Sequence, residues 1–331
     1  MAARPRIAIT MGDPSGIGPE VVAKALSGPD ILELADLTVV GSRRVLEQAL
    51  AANGISGPII ADDESGDRRI TVLDDSVHAD PEFPSGELSV TSARAAHHWI
   101  EEAVRLTLSG RFDGIVTAPI NKTAFAMAGI SDTGHQEILK RMSGAALVAT
   151  MLISGRLRCV HLSTHKSLRD ACLFVTKENV LNMLRLTDEH FRKWGIAEPR
   201  IGVAALNPHA SDAGLIGREE FDEIEPAIRA ARLEGIVASG PHPADSVFNQ
   251  AIAGKFDVVL VMYHDQGHIA IKVHGFEQSI SVNLGLPFVR TSVDHGTAFD
   301  IAGQGVADAT SMVEAIRTAA SLVTGSGLRE Q

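Results

Sequence analysis

The chain is short of the residues that staple, stack or span. It has two cysteines in 331 residues, Cys159 and Cys172, with no paired-ligand spacing. That excludes a disulfide framework and a cysteine zinc site, and both are expected as reduced, mostly buried thiols. One Tyr and two Trp are too few for a base-stacking platform. No Lys/Arg block occurs and the formal net charge is −11, which argues against a nucleic-acid surface. No apolar run approaches the roughly 18 residues needed to span a bilayer. The opening "MAARPRIAITMGD" runs into a strand and a glycine turn without a signal-peptide pattern, so the cytoplasm is the expected location.

What is present is a strand–helix alternation with 45% hydrophobic residues. Strand-like runs fall at Ile7–Thr10, Leu37–Val40, Gly114–Val116, Leu157–Leu162, Ile201–Leu206 and Val258–Met262. Helical spacing covers Pro19–Leu26, Arg43–Ala52, Val90–Leu108, Lys177–Trp194, Glu219–Leu233 and Ser311–Val323. This pattern predicts an α/β fold with mostly parallel sheets flanked by helices. Residues 54–88 are rich in Asp, Gly, Ser and Pro and read as irregular or short β-structure. No repeat or linker interrupts the chain, so two lobes would share a continuous interface, and the cleft between them is the natural place for a site.

Three histidines follow apolar, strand-like runs: His165 after "LRCVHLST", His209 after "RIGVAALNP" and His264 after "FDVVLVMY". Loops at the carboxyl ends of parallel strands line the ligand crevice, and three imidazoles delivered there could converge on one divalent metal. His268 reads less as a further ligand than as a group behind the metal or facing a substrate, and Asp265 could orient a ligand. Zn²⁺, Co²⁺ or Ni²⁺ suits such a set better than Mg²⁺, which prefers oxygen.

The turn "MGDPSGIGPE" joins a strand to a helix, with Pro19 at the first helical position. It lacks the full dinucleotide fingerprint, so alone it is weak. "VTAPINK" ends another strand, and "DTGHQE" places His135 and Gln136 where they could donate to phosphate or carboxylate oxygens. Lys272 and Arg290 bracket an apolar, glycine-containing stretch, and Arg suits bidentate anion recognition. The run Thr291–Ser311 is dense in small residues and could wrap a planar ligand, with Asp300 accepting from a ribose hydroxyl.

Together "GDPSGIGPE", "TAPINK", "GHQE", "THKSLRD", "LNPHASD", "GPHPADSVF", "MYHDQGH", "LGLPFVRTSVDHGTA" and "DIAGQGVAD" resemble the 4-hydroxythreonine-4-phosphate dehydrogenase (PdxA) family over essentially the full length. "YHDQGHIAIK" looks closer to the branch acting on 4-phosphothreonate and 4-phosphoerythronate. The first and last segments also look like isocitrate and isopropylmalate dehydrogenases, which bind NAD without a Rossmann fingerprint. The resemblance implies that two-lobed fold, with a cofactor-side lobe near 1–125 plus 285–331 and a dimerisation and metal lobe near 126–284. It implies a homodimer with shared sites, His165, His209 and His264 as metal ligands, and His264 reaching the site from the partner subunit. NAD is expected at Gly12, His295, Gly296, Thr297, Ala298 and Asp300. Substrate contacts are expected at His135, Gln136, Lys272 and Arg290. Gln136 replaces a usual Thr, and Ser281 a usual Asn that Asn283 could replace from the same strand face.

The reaction this implies is NAD- and metal-dependent oxidation of a phosphorylated 3-hydroxy acid, then loss of CO₂. Lys272, Asp245 and a metal-bound water are the general-base alternatives, Lys272 first. The rivals are a phosphate acyltransferase on a similar fold and a non-catalytic metabolite-binding homologue. The three histidines and "DHGTAFDIAGQG" oppose the former, and the intact polar set opposes the latter.

Overall fold

The computed structural model describes residues 4–56, 59–61, 70–74 and 82–328. The chain forms two compact units, Met1–Ala146 with Leu286–Thr324, and Leu147–Gly285 with Gly325–Gln331.

The first unit opens with β1 (Arg6–Thr10), α1 (Gly18–Leu26), α2 (Pro29–Leu34), β2 (Asp36–Val40) and α3 (Arg43–Ala52). It continues through β3 (Ile59–Ala61), β4 (Ile70–Leu73), α4 (Val90–Leu108), β5 (Gly114–Thr117), α5 (Lys122–Met127) and α6 (His135–Ser143). The second unit follows as β6 (Ala149–Ser154), β7 (Leu157–His161), α7 (Leu168–Phe174), α8 (Lys177–Lys193), β8 (Ile201–Ala204), α9 (Glu225–Leu233), β9 (Ala238–His242), α10 (Ala244–Ile252), β10 (Val258–Val261), α11 (His264–His274) and β11 (Ile280–Leu284). The chain then returns to the first unit as β12 (Val289–Val293) and α12 (Thr310–Val323).

In the first unit the strands run β3-β4-β2-β1-β5-β12, all parallel. The largely apolar runs of β1, β2 and β5 match burial on both faces. Ile7, Ile9, Val39, Ile115 and Val116 of the strands and Val21, Leu26, Ile100 and Ile316 of the flanking helices are all fully or almost fully buried. Side chains cap the helices: Ser42 accepts from Val45 N, Ser89 from Ser92 N and Asn121 from Ala124 N. The unit runs on to Ala146, past residue 125, because α5 and α6 both pack on α4. Within 54–88, β3 and β4 are short strands, whereas 57–58, 62–69 and 75–81 lie outside the described residues.

In the second unit the order is β11-β6-β7-β10-β8-β9. β11, β6 and β7 pair antiparallel, whereas β7, β10, β8 and β9 run parallel. A core of Leu152, Leu157, Cys159, Val247, Phe256, Val259, Val261 and Ile271 fills one face. Both cysteines are free, Cys159 buried and Cys172 partly so. The tail joins this unit through Gly327 N, which donates to Trp194 O across 2.7 Å.

Two expectations change in detail. β8 ends at Ala204 rather than Leu206. The single helix expected over Glu219–Leu233 is a π-helical turn, Glu220–Ile224, followed by α9. Pro226 has no N–H for the ordinary helical bond, and the Glu220 carboxylate is turned inward, 1% exposed.

Candidate active site

Because β7, β10 and β8 are adjacent and parallel, their carboxyl ends share one edge, and the loops there carry His165, His264 and His209. The His165 and His264 rings lie 6.2 Å apart between centroids. His264 opens α11; its Nδ1 lies 2.6 Å from Asp265 Oδ1, and its ring stacks on His268 at 3.5 Å and 11°. His268 Nδ1 donates to His264 O across 3.0 Å.

His209 stands in an unusual backbone. His209, Ala210, Ser211, Asp212 and Ala213 all have φ between 44° and 67°, a left-handed turn of five residues that carry a Cβ. Such strain persists only where the surroundings enforce it, and it clusters at functional sites. His209 Nδ1 faces Asp212 Oδ2 at 3.2 Å. In the tautomer that donates from Nδ1 to the neighbouring Asp, His209 and His264 each keep a lone pair on Nε2. That is the donor form of a metal-binding imidazole. The donors therefore suit a divalent cation in kind. Among the described residues, however, no three His, Cys, Asp or Glu side chains are placed to hold one ion. The trio reaches one sheet edge without meeting at one point within a single chain.

The first unit holds a second constellation. His135 begins α6, half-buried, and its Nε2 is buried with no partner. Burial first, then the charges of Arg290 and Lys122, push its pKa well below the usual histidine range. Arg290, on β12, is also buried; its Nη2 donates to Thr117 Oγ1 at 2.5 Å, and burial lowers the guanidinium to about 9. A buried cation beside an imidazole with a buried, unpartnered Nε2 and an exposed lysine has the chemistry to receive an anion. Gln136 occupies the first turn of α6 beside His135. Asp132, before that turn, is held by Arg141 and His97. The Arg141 hydrogen bonds keep its carboxyl below the usual range.

The glycine turn and the small-residue loop come together in the same unit. Ile17 N donates to Thr297 O across 3.0 Å, and Asp13 N to Pro119 O across 2.9 Å. A Cβ on Gly12 would lie 2.4 Å from Pro119 O, and one on Gly16 2.6 Å from Thr297 O, so these crossings admit only glycine. His295 Nε2 is buried without a partner, Gly296 is exposed, and Ala298 is left-handed at φ 41°. Asp300 is exposed, and its carbonyl accepts from Gln304. Pro14, Gly16, Arg44, Phe83, Gly303 and Gly305 help to line an adjoining cavity of about 200 Å³. An orphaned donor-acceptor beside a cradle without Cβ atoms fits a polar, planar cofactor.

The remaining expected groups lie in the second unit. Lys272, in the last turn of α11, donates to Ser279 Oγ at 3.3 Å and lies over the Phe276 ring. Ser281 and Asn283 share a face of β11, and Asn283 Nδ2 donates to Ala149 O. Asp245 is exposed in the first turn of α10. Lys122 and Glu220 were not expected as site residues. "TAPINK" held the clue to Lys122, a cation just past a strand end; nothing in the sequence marks Glu220 among its acidic neighbours.

The model of the family described as pyridoxal phosphate biosynthetic protein PdxA matches residues 33–319. The chain belongs to the PdxA family. Its PdxA relatives include a 4-hydroxythreonine-4-phosphate dehydrogenase of Beijerinckia indica, 49% identical over 96% of this chain and 94% of the relative. A D-threonate 4-phosphate dehydrogenase of Cupriavidus necator is 43% identical over 97% and 98%. The crystal structure of 4-hydroxythreonine-4-phosphate dehydrogenase from Klebsiella pneumoniae superposes with a TM-score of 0.89 at 38% identity, covering 97% of this chain and 99% of that one. A β-decarboxylating dehydrogenase from Thermococcus kodakarensis shares the PdxA fold, at 16% identity and a TM-score of 0.52.

Proposed function

We propose that this PdxA-family protein is an NAD-dependent dehydrogenase of a phosphorylated 3-hydroxy acid, acting on 4-phospho-D-threonate, 4-phosphoerythronate or 4-hydroxy-L-threonine 4-phosphate. The observation that carries this reading is the buried Arg290 set beside His135, whose Nε2 is buried without a partner, with Lys122 near by; such a group of donors favours an anionic ligand. The names of the relatives agree with it.

In this reading Arg290 and Lys122, with His135 and Gln136, neutralise and orient the anionic substrate. Lys272, Ser281 and Asn283 are further proposed substrate contacts. Such positioning matters because hydride transfer needs near-contact geometry. Gly12 and the loop His295, Gly296, Thr297, Ala298 and Asp300 hold the dinucleotide, which supplies the hydride acceptor. The C3 hydroxyl proton passes to Lys272 or Asp245 as the hydride leaves C3. The resulting 3-keto acid loses CO₂, the bonding pair staying as an enolate that is then protonated. His165, His209 and His264 are the proposed ligands of a divalent metal, which as a Lewis acid would stabilise negative charge on the substrate oxygen. Since one chain leaves that set incomplete, we assign its completion to a second copy in a homodimer.

Purified protein with NAD and Zn²⁺, Co²⁺, Ni²⁺ or Mg²⁺ should produce NADH with one of the three substrates. Comparing kcat/KM among them selects the group at C2. Absence of NADH with all three, and across a screen of phosphorylated hydroxy acids, refutes the dehydrogenase reading.

A further inference from the structure

The loops carrying the three histidines are joined by a belt of hydrogen bonds that involves none of the histidines. Gln266, 8% exposed, lies in the first turn of α11. Its Oε1 accepts from Met262 N at 2.7 Å, and its Nε2 donates to Ala205 O at 2.7 Å. One side chain thus ties the exit of β10, before His264, to the exit of β8, before His209. Ser163 Oγ continues the belt by donating to Met262 O at 3.1 Å, and Leu162 N bonds Val261 O at 2.8 Å. That links the exit of β7, before His165, to the exit of β10.

At the other end Glu220 completes it. Its carboxylate accepts from Leu206 N at 2.8 Å, Asn207 N at 2.7 Å and Asn207 Nδ2 at 2.9 Å. These are the last residues before Pro208 and the left-handed turn. Gly267 keeps α11 close enough for the belt to form, since a Cβ there would lie 2.4 Å from His161 Nε2. Each buried polar group in the belt answers a backbone group that would otherwise be orphaned at a strand end.

We propose that Gln266, assisted by Glu220, is a positioning residue that sets the register of the three histidine-bearing strand exits against one another. Its bearing on catalysis rests on the reading that those histidines act together. An amide suits the task because it offers an acceptor and a donor from one planar group, whereas a carboxylate only accepts and a thioether offers neither in strength.

Two near-isosteric variants test this in the full-length protein. Gln266→Met removes both links. Amide hydrogen exchange across residues 205–214 should then rise at least about ten-fold, with exchange in β1 and β5 unchanged. If the dehydrogenase reading holds, kcat per folded molecule should fall by a similar factor while KM for NAD stays within about three-fold. Gln266→Glu keeps the acceptor for Met262 N and loses the donor to Ala205. It should loosen 205–214 but leave 262–266 protected. Unchanged exchange at 205–214 in either folded variant overturns the proposal, as does a uniform rise throughout the molecule or a loss confined to thermal stability. Should Gln266→Met fail to fold, Gln266→Glu decides alone. Absence of NADH formation by the unmodified protein removes the functional reading, and the exchange measurements still judge the belt.

Discussion

His264 and His268 stack face to face, their ring centroids 3.5 Å apart, one helical turn apart on α11. With Asp265 on Nδ1, the stack leaves the His264 ring little freedom. Among the described residues His209 has no such stack, and its strained turn and Asp212 orient it instead. The two histidines are thus oriented by different means, which gives mutations near them different consequences.

His209→Ala should abolish metal binding and NADH formation together. The loss in metal affinity should exceed the roughly 10–100-fold that removing a hydrogen-bond partner of a ligand costs. Metal content after dialysis, read beside activity, checks this; retention of both disproves the ligand assignment.

Arg290→Met removes the buried cation of the first unit. Charge-assisted hydrogen bonds contribute about 1.5–3 kcal/mol, so KM for the phosphorylated substrate should rise roughly ten- to hundred-fold, with KM for NAD little changed. Initial rates over both substrates measure it.

Asp13 gives a pH signature. Burial raises its carboxyl to about 6, against a partly compensating hydrogen bond from Ser15 N. A raised folded value means a contribution to stability that is complete below pH 3.8 and lost as pH rises through about 6. The shift of some two pK units corresponds to roughly 3 kcal/mol. Asp13→Asn should flatten the fall of Tm across that range, as thermal melts at half-unit pH steps would reveal.

His190 works in the opposite direction. Burial chiefly, then Lys193, lowers its pKa to about 4, and its Nε2 accepts from Gly285 N at 2.8 Å. A lowered folded value means a contribution present above pH 6.5 and lost as pH falls through about 4, again roughly 3 kcal/mol in full. His190→Gln offers an amide oxygen to the same N–H and has no proton to gain. Its acid transition should begin at lower pH, measurable by near-ultraviolet circular dichroism.

Periodicity alone located β1, β2, β5, β7, β8 and β10, because buried parallel strands are continuous apolar runs. It also located α4 to the residue, where Ser89 supplies the cap. β6 escaped notice because its run, Ala149–Ser154, is short and mixed, and β11 entered only as the strand face shared by Ser281 and Asn283. α11 was hidden because "HDQGHIAIKVH" lacks a clean apolar stripe. The placement of the three histidines at one sheet edge was legible, and His135 and Arg290, far apart in sequence, do lie close enough for the Arg290 charge to act on the imidazole. Gln266 and Glu220 were not legible: their partners are backbone groups up to 61 residues away in sequence, and no local pattern encodes such a pairing.

The left-handed turn at His209 also bears on how the protein meets proteases. Holding non-glycine residues at positive φ costs roughly 1–2 kcal/mol for each. Opening the segment His209–Ala213 would therefore release that strain. Anything that grips His209 must also keep the turn closed, and part of its affinity is consumed in doing so. Ligand occupancy and resistance to cleavage at this one loop are thermodynamically linked, which makes limited proteolysis a direct gauge of what the histidine edge has bound.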